Sequence, residues 1–307
     1  MNIKWIKIKS LKLLAILFSV FFIASCGSGG DKQRETKITV DMTEINQELF
    51  EDIDEAKKIF YSLPSPLETA MLIRSAGAQY DAELLNSVDN AQNYTSNKNM
   101  ALNLGIYTCD LSFASLYDQT QASISYMDAA KRMADGLGIL DAINEKTIEN
   151  LEENINNREK IMDIVSETFL NSSAFLEEND RAALSAIVLV GGWMEGLYIA
   201  TELVNRGTFE DNKLVIRIVD QKLSMEIVMK LLEENQSNPD VAGLIEEISE
   251  LKAIFDQIKI ETSVIEPIYD QETNVTTLKS KSQSNLTHEL FIELSEKVRS
   301  LRNTFVL

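Results

Sequence analysis

The chain has 307 residues, 45% of them hydrophobic, a formal net charge of −19 at neutral pH and a single histidine. That is enough apolar material for a sizeable core, while the acid surplus argues against nucleic acid and against adhesion to an anionic lipid surface. One histidine excludes His-rich metal sites and the HExxH zinc motif, because "THELF" around His288 has no second histidine.

The first element is a leader. Residues 1–25 carry Lys4, Lys7, Lys9 and Lys12, no acid, and the apolar run "LLAILFSVFFIA". A basic start followed by a short apolar core is the pattern of a secretory signal rather than of a permanent span. Ile23-Ala24-Ser25-Cys26 resembles the lipobox of bacterial lipoproteins, and the alternative is an ordinary signal peptide with a chance cysteine. The resemblance implies a diacylglyceryl group on the Cys26 sulfur, cleavage before Cys26 and acylation of the new amino end. Two or more acyl chains give stable anchoring where one is marginal. Cleavage removes four positive charges from the net −19 and leaves −23. Residues 26–40, starting "CGSGGDKQRETK", are Gly-, Ser- and charge-rich and read as a flexible stalk. No Asp directly follows Cys26 and no dense acidic run follows the tether. By resemblance to lipoprotein sorting signals, this favours the cell envelope and the periplasmic face of the outer membrane.

Residues 41–307 are expected to form one all-α domain of nine or ten helices, as a multi-helix bundle or a TPR-like helical array. A helix starts near Asp41 and presents Ile45, Leu49, Ile53, Ala56 and Phe60 on one face. Pro66 opens the next helix, which Gly77 ends, and "DAELLNSVDNAQNY" leads into an Asn-rich turn. Helices follow over 97–118 and 119–137, then near 144–156 and 158–177. The most apolar element, 182–204, holds Glu195 and three interior glycines, so it reads as a core helix rather than a membrane span. Helices over 211–235 and 240–259 come next. The second carries Leu244, Ile248, Leu251, Phe255 and Ile258 at 3-4 spacing, which suits either a coiled-coil seam or its own bundle. Residues 260–285 lose periodicity and read as a loop with a hairpin around "NVTTLKS". A last helix, capped by Thr287, docks the C-terminus through Leu290, Leu294, Val298, Leu301 and Phe305, and leaves His288 exposed in its first turn.

Cys109 stands alone once Cys26 is lipidated, so no disulfide framework exists; in the apolar row Leu102, Ile106, Cys109, Phe113, Leu116 it reads as a buried thiol. The chain has no GxGxxG, GxxxxGK[ST], GxSxG or EF-hand loop, and no cofactor is expected. Two places break the helical rules. Asn103, Tyr107 and Asp110 follow one another along one helix, with Tyr117 and Asp118 beyond. Gly191-Gly192-Trp193-Met194-Glu195-Gly196 puts a Trp, a carboxylate and three glycines in the most apolar helix. Each interior glycine costs about 1 kcal/mol relative to Ala, so a backbone or a ligand is expected to approach closely there. Tyr107, Asp110, Trp193 and Glu195 are therefore the candidate ligand-binding residues. The bland alternative is tight helix packing at the glycines, with the carboxylates bonded to Tyr, Asn or helix ends. No spacing places Asp110 and Glu195 within reach of each other, so a paired-carboxylate mechanism has no support.

"LLNSVDNAQNYTSNKNMALNLGIYTCDLSFASLYDQTQ", "GGWMEGLYIA" and the ending "EKVRSLRNTFVL" resemble a group of all-helical lipoproteins from Bacteroidetes, over most of the chain. The resemblance implies the fold class and the envelope address and assigns no activity. The expectation is a lipid-anchored, non-enzymatic module that binds a protein partner or small ligand. Its rivals are a solute- or glycan-binding lipoprotein and an enzyme using the buried carboxylates.

Overall fold

A computed structural model describes residues 65–140, 145–154, 157–262, 266–270, 275–279 and 282–307. The tether expected at Cys26, the expected stalk and the helix expected from Asp41 lie outside the described residues.

Local chemistry sets the helix starts. In α1 (Pro66–Ser75) the Ser65 hydroxyl accepts from the Glu68 amide at 3.2 Å, and the Ser65 amide donates to the Glu68 carboxylate at 2.7 Å. This reciprocal box satisfies two otherwise orphaned donors, and Pro66 brings none to satisfy. Two 3-10 turns, Ala82–Leu84 and Val88–Gln92, are started by Asp81 and Ser87. Ser96 caps α2 (Asn97–Leu116). Asp118, left-handed at φ 58°, ends the turn into α3 (Thr120–Gly136), and Gly138 at φ 65° closes that helix where "DGLGI" predicts a stop. The chain continues through α4 (Glu145–Glu153), α5 (Arg158–Glu178), α6 (Ala182–Asn205), α7 (Lys213–Glu234) and α8 (Pro239–Gln257). Thr287 caps α9 (His288–Val306) by accepting from the Leu290 amide at 3.2 Å.

Between α8 and α9 stands an antiparallel hairpin. The strands β2 (Glu266–Asp270) and β3 (Val275–Lys279) pair in the register Asp270 with Val275, and β1 (Ile260–Thr262) pairs with β4 (Ser282–Ser284) at the base. The "NVTTLKS" segment thus does supply a strand, and more of the segment pairs than the lost periodicity suggests. The fold remains all-α, with the hairpin as its one excursion among the described residues.

α2 and α6 are the axis of the fold. Every residue from Met100 to Leu116 is buried, as are most of those from Leu184 to Val204. A helix that is apolar all round belongs inside. α6 is long and apolar enough to cross a membrane, yet 78% of its most apolar stretch is buried inside the protein. α2 touches α1, α3, α5, α6 and α9, and α6 touches α1, α5, α7 and α9. In a repeat array each unit meets only its neighbours; here distant helices close around two central ones, so the arrangement is a bundle. Leu244, Ile248, Leu251, Phe255 and Ile258 are fully buried, and α8 packs against α7 and α9, so the 3-4 seam serves its own bundle. On α9 it is Phe291, rather than Leu290, that is fully buried.

Candidate functional site

Glycines decide what the two central helices bring together. A Cβ on Gly105 would lie 2.1 Å from the Val188 carbonyl oxygen, and one on Gly191 would lie 2.1 Å from that of Leu102. A Cβ on Gly196 would strike the Thr69 side chain. Only hydrogen fits between these backbones, which is the close approach that the glycine cost implied.

The crossing places Asp110, five residues beyond Gly105, beside Glu195, four residues beyond Gly191, although nothing in the spacing announces their meeting. Arg302 of α9 completes the group. Its Nε and Nη2 donate to the two Glu195 oxygens at 2.8 Å each, Nη2 also reaches the Leu84 carbonyl at 3.4 Å, and its guanidinium lies 4.6 Å from the centre of the Tyr198 ring. Such a bidentate pair is the geometry in which a buried charge is tolerated.

One guanidinium neutralises one carboxylate, and the cluster has two. Asp110 Oδ2 accepts from the Asn86 amide at 3.1 Å, while Oδ1 finds no donor, and the carboxyl group lies beside that of Glu195, another acceptor. Two acceptors in contact are reconciled by one proton. The upward shift falls on Asp110: burial, then the neighbouring Glu195 charge, push its carboxyl well above the usual range, against the opposing pull of Arg302 and the Asn86 amide.

Amides and phenols extend the cluster to the end of α9. The Asn86 Nδ2 group donates to Tyr94 Oη at 3.1 Å and to Asn103 Oδ1 at 3.0 Å, and Asn86 Oδ1 accepts from Asn90. The Asn103 amide donates to the Phe305 carbonyl at 2.8 Å, and Tyr94 donates to the Val306 carbonyl at 3.0 Å. These two groups satisfy carbonyls that a helix end leaves without intrahelical partners. Tyr107 donates to the Ser87 carbonyl at 2.9 Å, and burial raises its phenol.

Asp110 and Glu195 therefore share one cluster, and Tyr107 stands at its edge, its ring 6.4 Å from that of Tyr94. Trp193 stands apart. Two helical steps turn it about 200° from Glu195, and its Nε1 donates to Gln221 of α7 at 2.9 Å. Burial pushes the Cys109 thiol well up, which makes it a poor nucleophile. His288 is exposed, its ring 5.2 Å from that of Phe209. Among the described residues no three His, Cys, Asp or Glu side chains gather for a metal. Sequence reading missed Asn86, Tyr94 and Arg302. Arg302 had a legible signal: with Val298, Leu301 and Phe305 it forms an i, i+3, i+4, i+7 set, so a charge stands at an apolar position.

A proton-sharing carboxyl pair can act as an acid and a base. Here both side chains have no exposed surface and one is clamped by arginine, so no substrate atom reaches them. Space for a ligand lies elsewhere. An apolar cavity of about 70 Å³ sits where α2, α3, α4, α5 and the start of α6 meet, walled by residues such as Leu104, Leu111, Met127, Leu151, Phe169 and Val188. An open, more polar cleft of about 440 Å³ lies between residues 76–81 and 203–214, beside Tyr80, Asp81, Arg206 and Asn212. None of Tyr107, Asp110, Trp193 and Glu195 lines either one. No family model, curated protein or solved structure matches this chain.

Proposed function

We propose that this chain is a lipid-anchored helical module of the bacterial cell envelope, held at Cys26 on the periplasmic face of the outer membrane, that binds a small ligand without transforming it. The leader, the lipobox-like Ile23-Ala24-Ser25-Cys26 and the stalk support the tether, and the resemblance to helical Bacteroidetes lipoproteins is consistent with it. The observation that carries the binding reading is the apolar cavity between α2 and α5, which opens beside a core packed so tightly that glycines are required. A concave apolar site with a few polar groups is the usual form of a small-molecule pocket. The non-catalytic half of the reading rests on the carboxylates, both of which are spent on joining α2, α6 and α9.

Two experiments test the reading. Incorporation of labelled fatty acid is expected in the parent and absent in Cys26→Ala; equal labelling removes the tether. A screen of melting temperature against apolar metabolites, sugars, peptidoglycan fragments and divalent ions is expected to show a shift with the apolar class. A second reading, a solute or glycan binder, is favoured by the size and mixed polarity of the cleft beside Tyr80 and Arg206. A shift with sugars alone, abolished by Tyr80→Ala, would put that reading first.

A further inference from the structure

The walls of the apolar cavity carry three hydroxyls, and they are not equivalent. Thr108 donates to the Leu104 carbonyl at 2.7 Å, and Ser172 donates to the Thr168 carbonyl at 2.8 Å, each back-bonding along its own helix. The Thr168 hydroxyl is buried and makes no hydrogen bond. Buried polar atoms are ordinarily paired, and a lone one in a native core asks for a partner that the protein does not supply. The fourth polar lining residue, Lys131 of α3, is exposed, and no carboxylate among the described residues lies within ion-pair distance of it. The remaining lining is aliphatic or aromatic apart from the Met127 thioether.

These features specify a ligand by its parts. The walls ask for an apolar body, Thr168 asks for a hydrogen-bond acceptor, and Lys131 asks for a negative charge. The volume, about 70 Å³, is about half of the roughly 150 Å³ that admits a benzene ring, so the enclosed body is about half the size of that ring, a chain of roughly three carbons. Resting on the ligand-binding reading above, we infer that the cavity takes a short-chain alkyl carboxylate, its tail among Leu104, Met127 and Phe169 and its head between the Thr168 hydroxyl and the Lys131 ammonium. A carboxylate suits the site better than a phosphate or sulfate monoester, because one hydroxyl and one ammonium meet the needs of a single compact anion. The strong negative charge of the whole chain opposes any anion at long range. The tail therefore supplies the affinity and Lys131 selects the head.

The test is calorimetric titration of the full, unacylated chain with butyrate, butanol and benzoate, in the parent and in Thr168→Val and Lys131→Gln. Both substitutions leave the fold intact on this reading: valine keeps the threonine shape while removing the unpaired hydroxyl, and Lys131 is exposed. Butyrate is expected to bind more tightly than butanol or benzoate, and each substitution is expected to weaken butyrate about five- to tenfold, the effect of one hydrogen bond or charge contact. The melting point of unliganded Thr168→Val is expected to equal or exceed that of the parent, which separates lost recognition from lost stability. Equal binding of butyrate and butanol in all three proteins would overturn the carboxylate inference and leave the ligand-binding reading standing. Tighter benzoate than butyrate would overturn the short-chain ligand in the same way. No binding by any of the three compounds would remove both the inference and the apolar-ligand reading.

Discussion

The two sides of helix α2 are packed on opposite principles. Toward α6, backbones approach so closely that Gly105 and Gly191 admit no Cβ, and the carboxylates there are matched to Arg302, an amide or a shared proton. Toward α3, α4 and α5, side chains meet less completely, and a cavity remains with one hydroxyl unmatched. Charge is placed where the fold can satisfy it completely, and room is left where the lining is apolar. A buried ionic cluster left half satisfied is worse than an apolar core, so the tight side has no slack for a ligand. The loose side has slack and little to lose by filling it.

Substitutions on the two sides should therefore differ in size and in sign. The largest effect is expected from Arg302→Met, which strands the Glu195 carboxylate in the core and should cost about 3–5 kcal/mol in urea unfolding. Adding Glu195→Leu to Arg302→Met should recover much of that loss. If the double variant is no better than the single one, the cost lies in packing rather than in the unpaired charge. Next comes Gly191→Ala, whose methyl would meet the Leu102 carbonyl oxygen at 2.1 Å. Backbone has to move, at a cost of about 2–3 kcal/mol, where Ala in an ordinary helix interior is a gain.

A smaller effect, tied to pH, is expected from Asp110→Asn. Asp110 has its folded pKa raised above its unfolded value, so the native state holds a proton that the unfolded chain releases. Stability from this group is full below the ordinary carboxyl range and is lost as pH rises through the raised value. Asn offers an oxygen to the Asn86 amide and an NH₂ to Glu195, keeping both bonds without a proton. The variant should match the parent at acid pH and exceed it as pH rises, in urea midpoints measured from pH 4 upwards. A constant gap across that range would show that Asp110 is ionised in the native state. On the loose side the smallest effect is expected: Thr168→Val should change stability by less than about 1 kcal/mol, in the stabilising direction, because it removes an unpaired polar atom.

Much of the bundle was legible because helices are local. The 3-4 spacing of Leu244, Ile248, Leu251, Phe255 and Ile258, and the stops at Gly77 and Gly138, place elements close to where they are found. The glycines of 191–196 announced a close approach, and the structure chose a helix backbone as the partner rather than a ligand. The hairpin was half visible, since a strand paired mainly with its own neighbour has only a short alternation to show. The candidate site was legible in its members and not in its grouping. Tyr107, Asp110, Glu195 and Trp193 all stand out by residue type, but only the helix crossing decides that Asp110 and Glu195 meet and that Trp193 turns away to Gln221.

The sequence by itself determined the acid surplus, through composition, and the helical periods and the caps, because these depend on residues within a few positions of one another. Tertiary structure decided the rest. It joined Asp110 to Glu195 and Arg302, spent Asn103 and Tyr94 on the end of α9, and left Thr168 unpaired beside an apolar cavity. Those outcomes depend on which helix faces meet and how closely, and that follows from where glycine permits contact and where larger side chains hold helices apart.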